Sequence, residues 1–181
     1  EIKKSKITLI NAVRENDFDK VKLLLSQGIN PNKEDSETGL TPFIEAILSN
    51  NDKMVVTMMR HGAKSQPPPG FAHSPLRAAA LMGNYRLVQL LIKTRADPNA
   101  KSKGGRTPLM GACYLRPDID DELSMPTVAA LLEDPRTNPW LRNDANETAM
   151  DLCRKRNYKK SMQLLSVAMD NFVEDEKKKK K

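Results

Sequence analysis

Two cysteines, two histidines and a short acidic run are the residues whose chemistry first needs deciding. Cys113 or Cys153 could supply a thiolate, but a thiolate nucleophile needs a base beside it. The two histidines, His61 and His73, fall at a helix end and in a turn of the repeat pattern described below. These four residues are scattered singly, without the paired spacing of a zinc site. Two buried structural thiols are expected. The segment Arg116–Pro126 carries Asp118, Asp120, Asp121 and Glu122. An acidic cluster can hold calcium, but this one lacks a central Gly and has Ala129 where the closing Glu would stand. It reads as an insertion forming a solvated surface loop, whose functional version is a partner-contacting excursion. Gly104-Gly105-Arg106 lacks the length and the Lys-Ser/Thr ending of a phosphate loop. Pro67-Pro68-Pro69 could display a polyproline ligand, but reads more simply as a stiffened turn tip. No catalytic residue, metal or cofactor is expected, and the protein is not expected to be an enzyme.

The chain has 181 residues and a formal net charge of +7, enough length for one domain with a real core. Five lysines end it, but Asp170, Glu174, Asp175 and Glu176 nearly cancel them. The excess lies in residues 39–104, with nine basic and three acidic side chains. No aromatic residues interleave with the terminal lysines, so base stacking has no support and the end reads as frayed and solvated. Two cysteines point to a reducing compartment, hence an intracellular protein, cytoplasmic or nuclear. No apolar run approaches the roughly 18 residues of a membrane span. Glu1 opens the chain where Met would open a whole protein, as expected of a segment of something larger.

These side chains are positioned by a period. Thr41-Pro42-Phe43, Ser74-Pro75-Leu76 and Thr107-Pro108-Leu109 start 33 residues apart, and Thr148-Ala149-Met150 follows after 33 plus an eight-residue insertion. Ala46, Ala79, Ala112 and Cys153 each lie five after the Ser/Thr. Asn50, Gly83 and Asn157 lie nine after it, and Met58, Leu91 and Leu165 seventeen after it. The first unit fits if its frame opens at Ile7, which puts Leu24 at plus 17. Ser or Thr caps a helix, and Pro next to it stands where its missing N–H costs nothing. A small residue at plus 5 lets two helices approach, and Gly or Asn at plus 9 takes positive φ and ends the first helix. The apolar plus 17 position belongs to a second helix packed on the first. Gly28 and Gly62 at plus 21 turn the chain out of it, whereas Arg95 and Arg136 stand there later. One such pair cannot bury its own apolar face, so the unit recurs.

These residues resemble the ankyrin repeat, over about nine-tenths of the chain. The third unit is nearest, with Ser74-Pro75-Leu76-Arg77-Ala78-Ala79-Ala80, then Gly83-Asn84, Leu87-Val88-Gln89-Leu90-Leu91 and Ala96-Asp97-Pro98-Asn99. The family's His at plus 3, which stitches neighbouring turns, is replaced by Ile44, Arg77, Met110 and Asp151. The resemblance implies an all-α ankyrin-repeat solenoid of about five stacked helix-turn-helix units with projecting turn or hairpin loops. The units are about 7–38, 39–72, 73–104, 105–143 with the insertion at 116–126, and 144–169. A charged C-terminal tail, 170–181, follows.

In that family partners dock on turn tips and on outward positions of the first helices. Plus 7 and plus 8 give Leu48 and Ser49, Leu81 and Met82, Tyr114 and Leu115, and Lys155 and Arg156; the first unit gives Arg14 and Glu15. Turn tips add Leu40, Phe71, His73, Lys101, Lys103, Arg106, Trp140 and Arg142. An apolar floor edged by basic fingers suits a protein partner with apolar anchors and acidic flanks, with Tyr114 and Trp140 as the expected hot spots. The expected function is non-catalytic protein–protein recognition on this concave face and its turn tips. The alternative is a regulatory or targeting ankyrin segment of a larger enzyme, such as a ubiquitin ligase, kinase or nuclease. The first two units, with the lengthened loop Asn32–Leu40, also resemble an oligonucleotide-sensing ankyrin domain, but Leu40 stands where that domain has an aromatic residue. Direct nucleic-acid binding is disfavoured.

Overall fold

The computed structural model describes residues 8–66, 73–114 and 120–179. Five helix pairs follow in order: α1 (Leu9–Arg14) with α2 (Phe18–Ser26), α3 (Pro42–Leu48) with α4 (Asp52–Arg60), α5 (Pro75–Leu81) with α6 (Tyr85–Lys93), α7 (Pro108–Cys113) with α8 (Asp121–Leu132), and α9 (Ala149–Arg156) with α10 (Lys159–Lys179). The first helices stack in sequence order, and each second helix packs on its own partner. This is the expected all-α solenoid. Its one extended pairing among the described residues is an isolated bridge between Ser102 and Arg106, at a turn tip.

The capping columns work as read. Thr41, Ser74, Thr107 and Thr148 accept from the backbone N–H of Ile44, Arg77, Met110 and Asp151. In the first unit the cap is Thr8, one residue past the frame's opening; Ile7 itself lies outside the described residues. The second helices have caps the repeat frame did not assign: Asp17, Asn51 and Asn84 each accept at 3.0 Å from Lys20, Met54 and Leu87. Each satisfies an orphan donor of the first turn. Asn16, Asn50, Gly83 and Asn157, all at plus 9, have positive φ and end the first helices. At plus 21 Arg95 takes φ of 66° beside its glycine counterparts Gly28 and Gly62.

Ala12, Ala46, Ala79, Ala112 and Cys153 are buried where the first helices meet, and Met58, Leu91 and Leu165 anchor the second helices over them. The first unit differs: Leu25 is buried while Leu24 is only half-buried against the core. The stitching that the family assigns to His is carried by amides. Asn32 donates to Gly62 O and accepts from Lys64 N. Asn99 repeats this with Arg136 O and Asn138 N. Ser102 Oγ accepts from Ser74 N at 3.2 Å.

Two expectations are corrected. The insertion is not a loop throughout: Asp120 caps α8, and residues 121–126 form its first turns despite Pro126. Two of the acids read as a solvated cluster seat the start of α10 instead. Asp121 accepts from Lys160 N at 2.7 Å, Ser161 N at 3.2 Å and Ser161 Oγ at 2.7 Å, and Glu122 pairs with Lys160. A carboxylate at a helix N-terminus satisfies the orphan donors there and suits the helix dipole. Residues 115–119 of the insertion, with Asp118, lie outside the described residues, as do Pro67–Pro69. The second correction is the tail. Helix α10 crosses the boundary at residue 170 without a break and runs to Lys179. The acids that cancel the lysines' charge pair with them one turn apart, Asp175 with Lys178 and Glu176 with Lys179.

Candidate partner-binding surface

The outward positions are set by where each first helix stops. Leu48 and Leu81 are the last residues of α3 and α5, with Ser49 and Met82 as their caps, and Tyr114 caps α7. Leu48, Leu81, Met82 and Arg156 are half-buried, whereas Arg14, Glu15, Ser49, Tyr114 and Lys155 are exposed. Leu48 packs against the core, and none of the others is buried. Phe71 and Leu115 lie outside the described residues.

A cavity of about 290 Å³ opens where α5, α7 and α9 meet the turns that carry Arg106 and Asn143. Leu81, Met110 and Leu152 give it an apolar wall. Tyr114, 47% exposed, stands at its side. The guanidinium carbons of Arg156 and Arg106 lie 4.8 and 5.9 Å from the Tyr114 ring centroid. Cation–π attraction to two guanidinium groups orients an aromatic ring that is otherwise largely open to solvent. Glu147 is already matched. Asn143 Nδ2 donates to it at 2.9 Å and Lys155 forms an ion pair with it. These bonds hold the Glu147 carboxyl below its ordinary range, Asn143 first and Lys155 second.

Arg77, which also lines the cavity, was not singled out by the sequence reading as a contact residue. It stands at plus 3, in the first turn of α5, in the column that holds the buried Ile44 and Met110 in the neighbouring units. Its Nε is shielded from solvent and has no hydrogen-bond partner, and no ion pair reaches it among the described residues. Burial lowers its pKa, and the positive charge of Arg106 lowers it further; a guanidinium nonetheless stays charged. Room for it comes from α7. A Cβ on Gly111 would stand 3.1 Å from Arg77 O and 3.3 Å from Arg77 Cγ. A charged residue where both neighbouring units have an apolar one, faced one unit later by a glycine, is the sequence signal that could have found it.

The turn tips divide into two groups. Lys101, Lys103, Arg106 and Arg142 are exposed on adjoining turns, and Lys101 Nζ donates to Arg142 O at 3.0 Å. His73 lies beside them, half-buried, with its pKa lowered by burial and then by the charges of Arg77 and Lys103. Gly105 makes this tip possible: its φ is +67°, and a Cβ there would stand 2.4 Å from Asp144 Oδ1. Trp140 stands apart. Its Nε1 donates to Met169 O on α10 at 3.3 Å, and it lines a separate hollow with Phe172 and Val173. Leu40 packs against the core and closes the loop in which Asp35 N donates to Leu40 O at 2.8 Å.

The two thiols are buried and adjacent. Burial, followed by the hydrogen bond to Cys153, pushes the Cys113 thiol well up, away from the thiolate a nucleophile needs.

Helix pairs stacked into a one-dimensional array, with turn tips projecting beside a groove on the first helices, define a repeat solenoid of the interaction-module type. Residues 9–102, just over half of the chain, match the ankyrin repeats family (three copies). The chain belongs to the ankyrin-repeat family, whose domains are generally protein-interaction modules. It is 34% identical over 92 residues to the mouse B-cell lymphoma 3 protein homolog, covering 51% of this chain and 20% of that protein. It is 27% identical over 170 residues to the Escherichia coli ankyrin repeat protein YahD, covering 91% and 80%. It is 34% identical over 79 residues to the human 2-5A-dependent ribonuclease, covering 44% and 11%. The chain thus spans well under two-thirds of the mouse and human relatives.

Proposed function

We propose that this chain is a non-catalytic, intracellular recognition module that takes a segment of a protein partner into the groove between α5, α7 and α9. The observation that carries this reading is Tyr114. A large aromatic side chain stays exposed at a helix end, oriented by two arginines, beside a cavity walled by Leu81, Met110 and Leu152. Exposed aromatic residues next to apolar pockets and flanked by Arg are the usual anchors of protein interfaces. Lys101, Lys103 and Arg142 extend the positive rim and favour an acidic partner through steering. No helix of the described residues is long and apolar enough to cross a membrane.

The reading is tested with Leu81→Glu and Tyr114→Glu in affinity capture, alongside circular dichroism. Loss of captured protein with unchanged helical signal is the expected result. Unfolding would make these residues core, and unchanged capture would move the surface elsewhere. The same groove would serve equally in a recognition segment of a larger enzyme, a reading favoured by the small share of the mouse and human relatives that the chain covers. An oligonucleotide-sensing role has less support, because Leu40 faces the core and offers no ring for a base.

A further inference from the structure

We infer that Arg77 is a specificity-determining residue that reads a single carboxylate of the partner, a Glu or Asp side chain lowered into the groove next to an apolar residue that rests on Tyr114. This rests on the groove being the interaction surface and names the chemistry it selects.

The charges of the groove do not balance. Lys155 and Glu147 neutralise each other, and Asn143 takes up a further lone pair of Glu147. Arg77 and Arg106 have no ion pair among the described residues, and the charge of Arg106 adds to the cost of keeping Arg77 charged. A buried donor without an acceptor costs free energy that a folded chain usually avoids, either by pairing it or by replacing it with an apolar residue. The neighbouring units take the second course, with Ile44 and Met110 in the same column. The third unit keeps an arginine, and Gly111 leaves space for its stem.

An incoming carboxylate changes the balance. It can meet Arg77 from the cavity and Arg106 from the rim. Because Nε is bound to nothing, the guanidinium can turn its donor fork toward the ligand without breaking a hydrogen bond. A planar fork matches a carboxylate with two parallel bonds. The apolar wall of Leu81, Met110 and Leu152 suits the aliphatic stem of such a side chain. The apolar wall, rather than the net charge, favours a carboxylate on an aliphatic stem over a compact, strongly hydrated phosphate. A single carboxylate on an apolar stem is therefore the better fit.

The test is a selection from a displayed library of random twelve-residue peptides, run on wild type, Arg77→Gln and Arg106→Gln. Wild type should enrich peptides that share one Asp or Glu beside an apolar residue. The synthetic consensus peptide should lose about tenfold in affinity when that acid becomes its amide. On Arg77→Gln the acid and amide peptides should bind within about threefold of each other. Arg106→Gln, an exposed change that leaves the fold alone, should reduce the discrimination in the same direction. Enriched peptides with no shared acid, or full discrimination retained by both variants, would overturn the inference while leaving the interaction surface standing. A phosphoserine version that binds tenfold tighter than the acid would also overturn it. Failure to enrich any peptide would refute the interaction surface itself, and the inference with it.

Discussion

The seam between α8 and α10 and the groove across α5, α7 and α9 treat charge in opposite ways. At the seam, Asp121 accepts three hydrogen bonds from Lys160 and Ser161. At the opposite end of α8, Asp134, 8% exposed, holds the backbone N–H and the guanidinium fork of Arg136. In the groove, Arg77 is shielded from solvent at Nε and holds nothing. Both regions belong to the same helix stack. The difference is that the seam closes a structural contact, where each ionic group must be matched to be tolerated. The groove opens onto a cavity, where an unmatched charge is available to an outside group.

If this contrast is right, removing a charge should have opposite signs in the two places. Asp121→Ala should give the largest effect, a loss of about 2–3 kcal/mol in urea unfolding. Hydrogen exchange should show the start of α10 opening first. Arg77→Met should do the reverse and stabilise by about 1–2 kcal/mol, since it replaces a half-buried, unpaired cation with a side chain its column already accepts. A loss of stability on Arg77→Met would mean that the arginine is structurally matched, and the contrast would fail.

The acid limb of stability sharpens the same point. The Arg136 side chain, aided by its backbone N–H, holds the Asp134 carboxyl below its ordinary value of 3.8. A carboxylate depressed on folding contributes stability that is present above that ordinary value and lost as pH falls through the folded one. Wild type should therefore exceed Asp134→Asn in melting temperature at about pH 6, and the difference should shrink as pH falls below the ordinary value of 3.8. No such crossover is expected for Arg77, which stays charged throughout. The smallest effect is local. Arg95→Gly should stabilise by about 1 kcal/mol, because Arg95 carries a Cβ at positive φ where its counterparts are Gly28 and Gly62.

Most of the fold was legible because the period-33 columns encode backbone needs. Thr-Pro sets a helix start, and Asn or Gly sets a left-handed stop. What periodicity could not see was action between units. Asp121 looked like a loop acid because its partners, Lys160 and Ser161, lie 39 and 40 residues on. The helix that begins at Asp121 also carries Pro126 inside it. The outward positions Leu81, Met82 and Tyr114 followed from helical phase. Trp140 did not: its turn lies under α10, which continues past the point where the repeat should end. Arg77 was visible only as a departure from the family's His, and its burial depends on Gly111 in the next unit.

The central claim is that the groove beside Tyr114 is where this chain meets its partner. The most direct measurement is a ¹⁵N chemical-shift titration of the protein with the display-selected peptide, read residue by residue. Shifts should concentrate at Arg77, Leu81, Arg106, Tyr114 and Lys155, with α2 and α4 unmoved. Shifts centred on Trp140 and α10, or on α2 and α4, with the groove unchanged, would contradict it.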